Sequence, residues 1–369
     1  MSQNFTPDWF SPPGSTIAML MARRGLSARE LAARMRTDVS FVLRLISGTE
    51  RIESAVAGLL ATNIGGTAAF WTSRQKRYDA ALNSTANSIS SDEARAWLRT
   101  LAIKDMATAG WIGSTSRDNV LQSALAYFGV TSPEEWRDRY AAHATLFAYR
   151  TSQSFESKLG ALAAWLRQGE LQASAIDCGK WEPQRFGNEL KAIRGLTRLK
   201  SPHMFMKGLR AHCAAAGVAV VFVKAPAGCR ASGATRFIGR DRAMIILSFR
   251  YLSDDHFWFS FFHEAGHLLL HGPDATFVDG DAAEETDKEQ EANAFAAGML
   301  IPLHQYDQLL VLRANVNQVV RFAVSIGISP GIVVGQMQHY GVLGPNQLNS
   351  LKRRYTWEEV QSAVEQLNR

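Results

Sequence analysis

Short segments near the start of the chain carry hydrophobic residues at helical spacing. They read STIAMLMARRG, LSARELAARM, TDVSFVLRLISG and ERIESAVAGLLATNIGG, with glycine or polar residues at their ends. Apolar positions three and four residues apart are typical of amphipathic helices. Ser27 with Glu30 fits a capping box, and Asp38 is placed to cap the following helix. The pattern therefore predicts four or five short helices, with a turn at 35–37 between the second and the third.

The hydrophobic pattern stays helical through the middle of the chain and then changes. Residues from about 84 to 216 form further segments with helical spacing. After Gly217, VAVVFVK and AMIILSFR are β-branched runs that predict two or three strands of a small sheet. An apolar helix follows from Asp255, and two more helices flank the Gly-Ile-Ser-Pro-Gly break near the end. The predicted fold class is multidomain and mainly α, with a small β-sheet.

The apolar helix contains the stretch FFHEAGHLLLH. Residues four apart lie on the same helix face, so His263 and His267 can offer imidazole nitrogens to one ion. Glu264 lies beside them, within reach of a water molecule on that ion. Burying these groups in an apolar helix without a partner would cost several kcal/mol. The HExxH pattern therefore predicts a zinc peptidase centre, with Glu264 as the general base.

A catalytic zinc ion needs a third protein ligand, and several residues are candidates. His271 lies eight residues after His263, roughly 12 Å along a straight helix, which is too far for one ion and favours a structural or outer role. The segment TDKEQEANAFAAGMLIP has a helical apolar stripe that lies nearer to Glu289 than to Glu291. Thr286 and Glu289 also fit a capping box, which would make Glu289 a helix-start residue. The spacing alone leaves these alternatives open.

Composition and charge narrow the class of protein. The three cysteines are widely spaced without a CxxC pair, which argues against a thiolate zinc site and a disulfide framework. The chain has neither an apolar run long enough to cross a membrane nor an export signal, so we expect a cytoplasmic protein. Residues 1–79 contain ten Arg or Lys against six Asp or Glu, a surplus that favours a polyanion-binding module at this end.

Residues 12–83 resemble the Cro/C1-type (XRE) helix-turn-helix, through GLSARELAARM and VSFVLRLISGTERI. The resemblance implies binding to double-stranded DNA, with Arg29 and nearby basic groups at phosphates. The residues that it places at base edges are Val39, Ser40, Phe41 and Arg44. Two features depart from the family pattern: Ala28 replaces a common polar phosphate contact, and Val39 and Phe41 offer few hydrogen bonds to bases. The alternative is a helix-turn-helix used for protein contacts.

Residues 200–302 resemble the ImmA/IrrE family of zinc metallo-endopeptidases. FWFSFFHEAGHLLLH, EQEANAFAAGMLIP and SGATRF carry this resemblance. It implies an α+β, zincin-like domain in which Glu289 is the third zinc ligand. It also implies that Asn293 supports the ligands from outside, and His271 is expected in the same outer role. Fusions of this peptidase to an N-terminal XRE module are known, so the order of the two domains also fits the resemblance.

The expected mechanism is hydrolysis of a peptide bond, with Glu264 carrying the proton. Glu264 would take a proton from the attacking water and pass it to the leaving amine. The strand around Ser232 to Phe237, with Ser232 and Gly233 as substrate-binding residues, would hold an extended substrate by strand addition. We expect a transcriptional regulator that cleaves a repressor or antitoxin partner in a stress, phage or toxin–antitoxin response, with no membrane partner and with a homodimer as one arrangement. The alternative is a DNA-binding repressor whose peptidase-like domain senses a signal without cleaving.

Four regions are predicted along the chain. They are the helix-turn-helix domain (12–83), a helical linker or scaffold (84–199), the metallopeptidase domain (200–302) and a C-terminal helical region (303–369).

Overall fold

The described part of the protein is mainly helical with one small β-sheet. A computed structural model describes residues 11–113, 119–144, 153–238, 241–272, 277–280 and 287–368, with the backbone alone at 40, 141–144, 153–158, 277–280 and 368. The chain divides into two compact units. The first comprises residues 1–175 and 226–229, and the second comprises 176–225 and 230–369.

The first unit is helical throughout its described residues. Its helices are α1 (Pro13–Arg23), α2 (Ala28–Met35), α3 (Val39–Ser47), α4 (Ser54–Ile64), α5 (Ala68–Ser88), α6 (Ser91–Thr100), α7 (Ile103–Thr108), α8 (Val120–Phe128), α9 (Pro133–Ala144) and α10 (Gln153–Ala173). The predicted caps are present: Ser27 and Glu30 form a capping box at α2, and the Asp38 side chain accepts a hydrogen bond from the Phe41 N–H at α3. Residues from α1 to α5 share one hydrophobic core.

The second unit surrounds the four-stranded sheet with helices. Its elements are α11 (Pro183–Leu196), α12 (Pro202–Ala215), β1 (Val218–Phe222), β2 (Ala231–Phe237), β3 (Ala243–Leu247), α13 (Asp254–Leu270), β4 (Phe277–Gly280), α14 (Asp287–Leu300), α15 (Tyr306–Leu310), α16 (Val316–Ile326), α17 (Pro330–His339) and α18 (Trp357–Asn368). The apolar helix α13 packs against β2, β3, α14 and α17. These neighbours explain why most side chains of α13 are buried.

The strands lie in the order β1-β3-β2-β4. β1 and β3 are parallel, and β2 is antiparallel to both β3 and β4. From Gly233 to Thr235, β2 is paired on both sides, and β4 is the outer strand on the β2 side of the described sheet. Since β4 occupies this edge of β2, strand addition of a substrate there would require β4 to move, and the assignment of Ser232 and Gly233 to substrate binding stays a prediction.

The C-terminal segment anchors the start of α13. The buried Asp254 carboxylate accepts hydrogen bonds from the Ser329 hydroxyl at 2.5 Å and from the Arg353 N–H at 3.0 Å. The neighbouring Asp255 carboxylate forms an ion pair with Lys352 at 2.7 Å, with both side chains less than a tenth exposed. These contacts fix the N-terminal end of the helix that carries the HExxH residues.

Two of the predicted region boundaries fall within or between packed helices. Position 83/84 lies inside α5, and position 199/200 lies between α11 and α12, which pack on each other in the second unit. The finer division stays a prediction. Within the described ranges, no single helix has the length and apolar composition to cross a membrane, although the sharply bent pair α16 and α17 passes that test jointly.

Candidate metal centre

Two packed helices bring the predicted ligand side chains together. His263 and His267 lie one turn apart on α13, and Glu289 lies in the first turn of α14. The ligand atoms of these three residues lie within 4.8 Å of one another. The two histidines are almost completely buried, and the Glu289 side chain is 14% exposed. The Glu289 carboxylate of α14 thus joins the two histidines of α13 in a cluster of three possible metal ligands.

The distances fit a shared tetrahedral ion. The Nε2 atoms of His263 and His267 are 3.0 Å apart, and the Glu289 oxygens lie 3.1 Å from the first and 3.4 Å from the second. Ligand atoms around one tetrahedral zinc lie roughly 3.3 Å apart, because each bond is about 2.0–2.1 Å long. Two imidazoles and one carboxylate are also the donor set of a well-known class of catalytic zinc sites. The residues present therefore fit a zinc ion.

Outer partners orient both imidazoles. His263 donates from Nδ1 to the Asn293 amide oxygen at 2.9 Å, which leaves its Nε2 lone pair for a metal. His267 Nδ1 is 3.0 Å from His271 Nδ1, and His271 Nε2 is 3.0 Å from a Glu291 oxygen. These contacts fit one arrangement of protons, in which His267 donates from Nδ1 to His271 Nδ1 and His271 donates from Nε2 to the Glu291 carboxylate. In this arrangement the Nε2 lone pair of His267 is also available for a metal. Sequence reasoning placed Asn293 and His271 outside the ligand set but missed Glu291 as the partner of His271.

Burial and hydrogen bonding set the protonation of the ligands. Burial lowers the pKa of His267, although the Glu289 carboxylate acts in the opposite direction. For Glu289, burial would raise the pKa, but its contacts with the imidazoles of His263 and His267 outweigh burial and lower the pKa to about 2. A neutral imidazole and an ionised carboxylate are the forms that bind metal. His267 and Glu289 are therefore close to their metal-binding protonation states at neutral pH.

Glu264 packs against Gly233 of the sheet. Its side chain is fully buried, and a Cβ built on Gly233 of β2 would come within 2.6 Å of its Oε1 atom. Only glycine leaves room for the carboxylate at this point. The β2–β4 register shifts between Ala231 and Gly233, so Ser232 lies at a bulge. Bulges often lie next to active sites, where they redirect a side chain.

The comparison with protein families gives one match. Residues 213–334 match Peptidase_M78, the IrrE N-terminal-like domain. The matched segment runs from the end of α12 into α17 and contains all the clustered residues above. This part of the chain is therefore similar to the metallopeptidase-like domains of the ImmA/IrrE type. A search of curated proteins found no match to the chain.

The residues predicted to bind DNA lie in α2 and α3 of the first unit. Arg29 is exposed on α2, whereas Val39 and Phe41 are partly buried against the core of α1–α5. The Arg44 guanidinium forms an ion pair with Glu50 at 3.1 Å and lies over the Phe41 ring. The Ser40 side chain lies outside the described residues. Helix α10 also contacts α3, which the sequence pattern did not indicate.

Proposed function

We propose that the second unit is a zinc-dependent endopeptidase. The observation that carries this proposal is the approach of His263, His267 and Glu289 to mutual distances of 3.0–3.4 Å beside a buried glutamate, Glu264. The family match of the same segment supports it. The alternative metal ligand, Glu291, bonds His271 instead and is mostly exposed.

The residues of the centre have distinct tasks in peptide hydrolysis. A bound zinc ion would polarise the scissile carbonyl and lower the pKa of the attacking water. Glu264 accepts the proton of that water and delivers it to the leaving amine. Asn293 holds the ring of His263, and His271 holds the ring of His267. Gly233 keeps the space that the Glu264 carboxylate occupies.

Cleavage is tested by comparing the zinc-loaded full-length protein with its Glu264→Gln variant. Both are incubated with repressor-like and antitoxin-like proteins encoded beside this gene, and products are identified by mass spectrometry. We expect a defined cut in at least one candidate by the wild type alone, because glutamine cannot accept the proton. If both proteins hold zinc and leave every candidate intact, the non-catalytic sensor becomes the better account.

We further propose that the first unit binds double-stranded DNA and makes this protein a transcriptional regulator. Two features support this: the capped α2-turn-α3 arrangement, and the exposed basic side chain of Arg29 on α2. Phosphate contacts by such groups supply affinity and make it salt-dependent. Arg44 pairs with Glu50 through Nε, and its side chain is 43% exposed.

DNA binding is tested with the promoter of the protein's own operon. Arg29→Ala should weaken binding and reduce its salt dependence, because one phosphate contact is lost. Arg99→Ala, on α6, is the matched control for a lost arginine in the same unit. Equal, salt-insensitive retention by all three proteins in a gel-shift assay would favour a helix-turn-helix that contacts protein instead.

A further inference from the structure

A cavity of about 360 Å³ lies beside the N-terminal half of α13. It is bounded by that helix, by Ser232 of β2 and by α17. Its volume falls in the range of roughly 300–1,000 Å³ that is typical of ligand pockets. Tyr251, His256 and His339 are exposed at its rim, whereas Ser260 and Gln336 are buried within it. Neither the family match nor the metal cluster assigns a role to this cavity.

The cavity and the metal centre share two walls. Ser260 precedes Glu264 by four residues and Phe259 precedes His263 by four, so both cavity residues lie one turn, roughly 5.4 Å, from the centre. The Phe259 ring stacks on the His263 ring at 6.3 Å. On the sheet side, Ser232 of the cavity adjoins the glycine that packs against Glu264. Since an extended chain advances about 3.3 Å per residue, a peptide held at the centre would place a nearby side chain at the cavity.

The interior of the cavity favours hydrogen-bond donors. The Oε1 atom of Gln336 is buried and has no hydrogen-bond partner within the described residues. A buried acceptor without a donor is costly, so a ligand that supplies an N–H or O–H gains from meeting it. Asp255 also lines the cavity, and its charge is already matched by Lys352. A carboxylate would add an uncompensated charge here, and an aliphatic side chain would leave Gln336 unsatisfied.

We propose that this cavity is the specificity pocket of the peptidase, and that it receives a long substrate side chain ending in an N–H or O–H donor. This inference rests on the proposed peptidase function, because it identifies the cavity by its position beside that centre. Phe259 and Ile332 supply the apolar walls for the stem of the side chain, and Gln336 accepts the hydrogen bond at its end. Lys, Arg, Gln, Tyr and Trp meet this description, whereas Leu, Val, Asp and Glu do not.

The test is a binding selection that does not depend on cleavage. Zinc-loaded, full-length Glu264→Gln protein is used to select from a library of random decapeptides, and the enriched sequences are compared with those from Glu264→Gln/Gln336→Met. Methionine matches glutamine in length but cannot accept the bond. We expect one peptide position enriched in donor-ended side chains, and a loss of this preference on the order of tenfold in the double variant.

Two further variants control this comparison. Glu264→Gln/Gln361→Leu makes a similar change on α18 and should select the same peptides as the parent. Glu264→Gln/Gln336→Glu should shift the preference towards Lys and Arg, and it provides a second test if the methionine variant fails to fold. Absence of a donor-enriched position, or an unchanged preference in a folded, zinc-loaded Gln336 variant, would overturn the pocket assignment.

The same selection separates this inference from the peptidase proposal. The enriched peptides are incubated with the wild-type protein and analysed for cleavage. If they bind through the cavity but are never cut, the cavity stands as a binding site for donor-ended side chains and the peptidase function fails. If wild type cuts other peptides in a Glu264-dependent manner while the selection shows no donor preference, the peptidase function stands and the pocket assignment fails.

Discussion

Gly233 packs so closely on Glu264 that a Cβ at position 233 would lie 2.6 Å from Oε1 and 2.7 Å from Cγ of the glutamate. Glu264 is fully buried and cannot easily move aside. The sequence could not reveal this contact, because Gly233 and Glu264 are 31 residues apart and belong to different elements. A glycine in a strand often marks such a close approach, but it does not say what approaches.

Gly233→Ala should therefore damage catalysis without removing the metal. The added methyl group displaces the Glu264 carboxylate, whereas His263, His267 and Glu289 keep their positions. We expect zinc content close to that of the wild type and proteolysis reduced by at least tenfold. Gly298→Ala is the matched control, since a Cβ on Gly298 of α14 meets no atom within 4 Å. Normal cleavage by Gly233→Ala would show that Glu264 is not confined as the structure indicates.

Glu289 and Glu291 should differ in their effects on metal affinity. Glu289→Ala removes a ligand candidate, so we expect a loss greater than the roughly 10–100-fold that is typical of outer partners. Glu291→Ala removes only the outer partner of His271 and should lower affinity by about tenfold or less. Competition with a chromogenic chelator measures both constants. A larger effect for Glu291→Ala would reverse the assignment of the third ligand.

Metal retention should depend on pH through the histidines. Burial lowers the pKa of His267 below its ordinary value of 6.5, so this imidazole stays neutral, and free for metal, until the pH falls below 6.5. Glu289, with a pKa of about 2, stays ionised through the same range. We expect constant zinc affinity from pH 8 to 6.5 and a progressive loss below it, measured by chelator competition. A loss already between pH 8 and 7 would contradict this electrostatic description.

The Lys352–Asp255 ion pair should contribute strongly to the stability of the second unit. Lys352→Met leaves the Asp255 carboxylate buried without its counter-charge, which typically costs about 3–5 kcal/mol of the free energy of unfolding. Lys207→Met, at an exposed position on α12, should have little effect. Adding Asp255→Asn to Lys352→Met should recover part of the loss, because it removes the unpaired charge. Denaturant titration followed by fluorescence measures all four proteins.

Several features of the fold follow from local sequence patterns. The capping box at Ser27, the cap at Asp38, the β-branched strands and the break between α16 and α17 are present as predicted. Local periodicity ranked Glu289 above Glu291 only narrowly, because both lie near one edge of the same helix. The packing of α14 on α13 separates them: Glu289 faces the two HExxH histidines, and Glu291 faces His271.

Other features depend on contacts between distant segments and were not predictable. β4 pairs with β2 and takes the edge that strand addition would have used, although no apolar run marks β4 in the sequence. His339 and Gln336 line the cavity, although no local sequence pattern marks either residue. Only the packing of α17 on α13 brings these side chains beside the candidate centre.

The central claim is that His263, His267 and Glu289 jointly hold one zinc ion, and X-ray absorption at the zinc edge tests it most directly. In the zinc-loaded full-length protein, we predict one ion per chain with a first shell of nitrogen and oxygen at about 2.0–2.1 Å and an imidazole scattering pattern for two histidines. Glu289→Ala should lose the ion or change that shell. Absence of tightly bound zinc, or a sulfur shell at about 2.3 Å, would contradict the account.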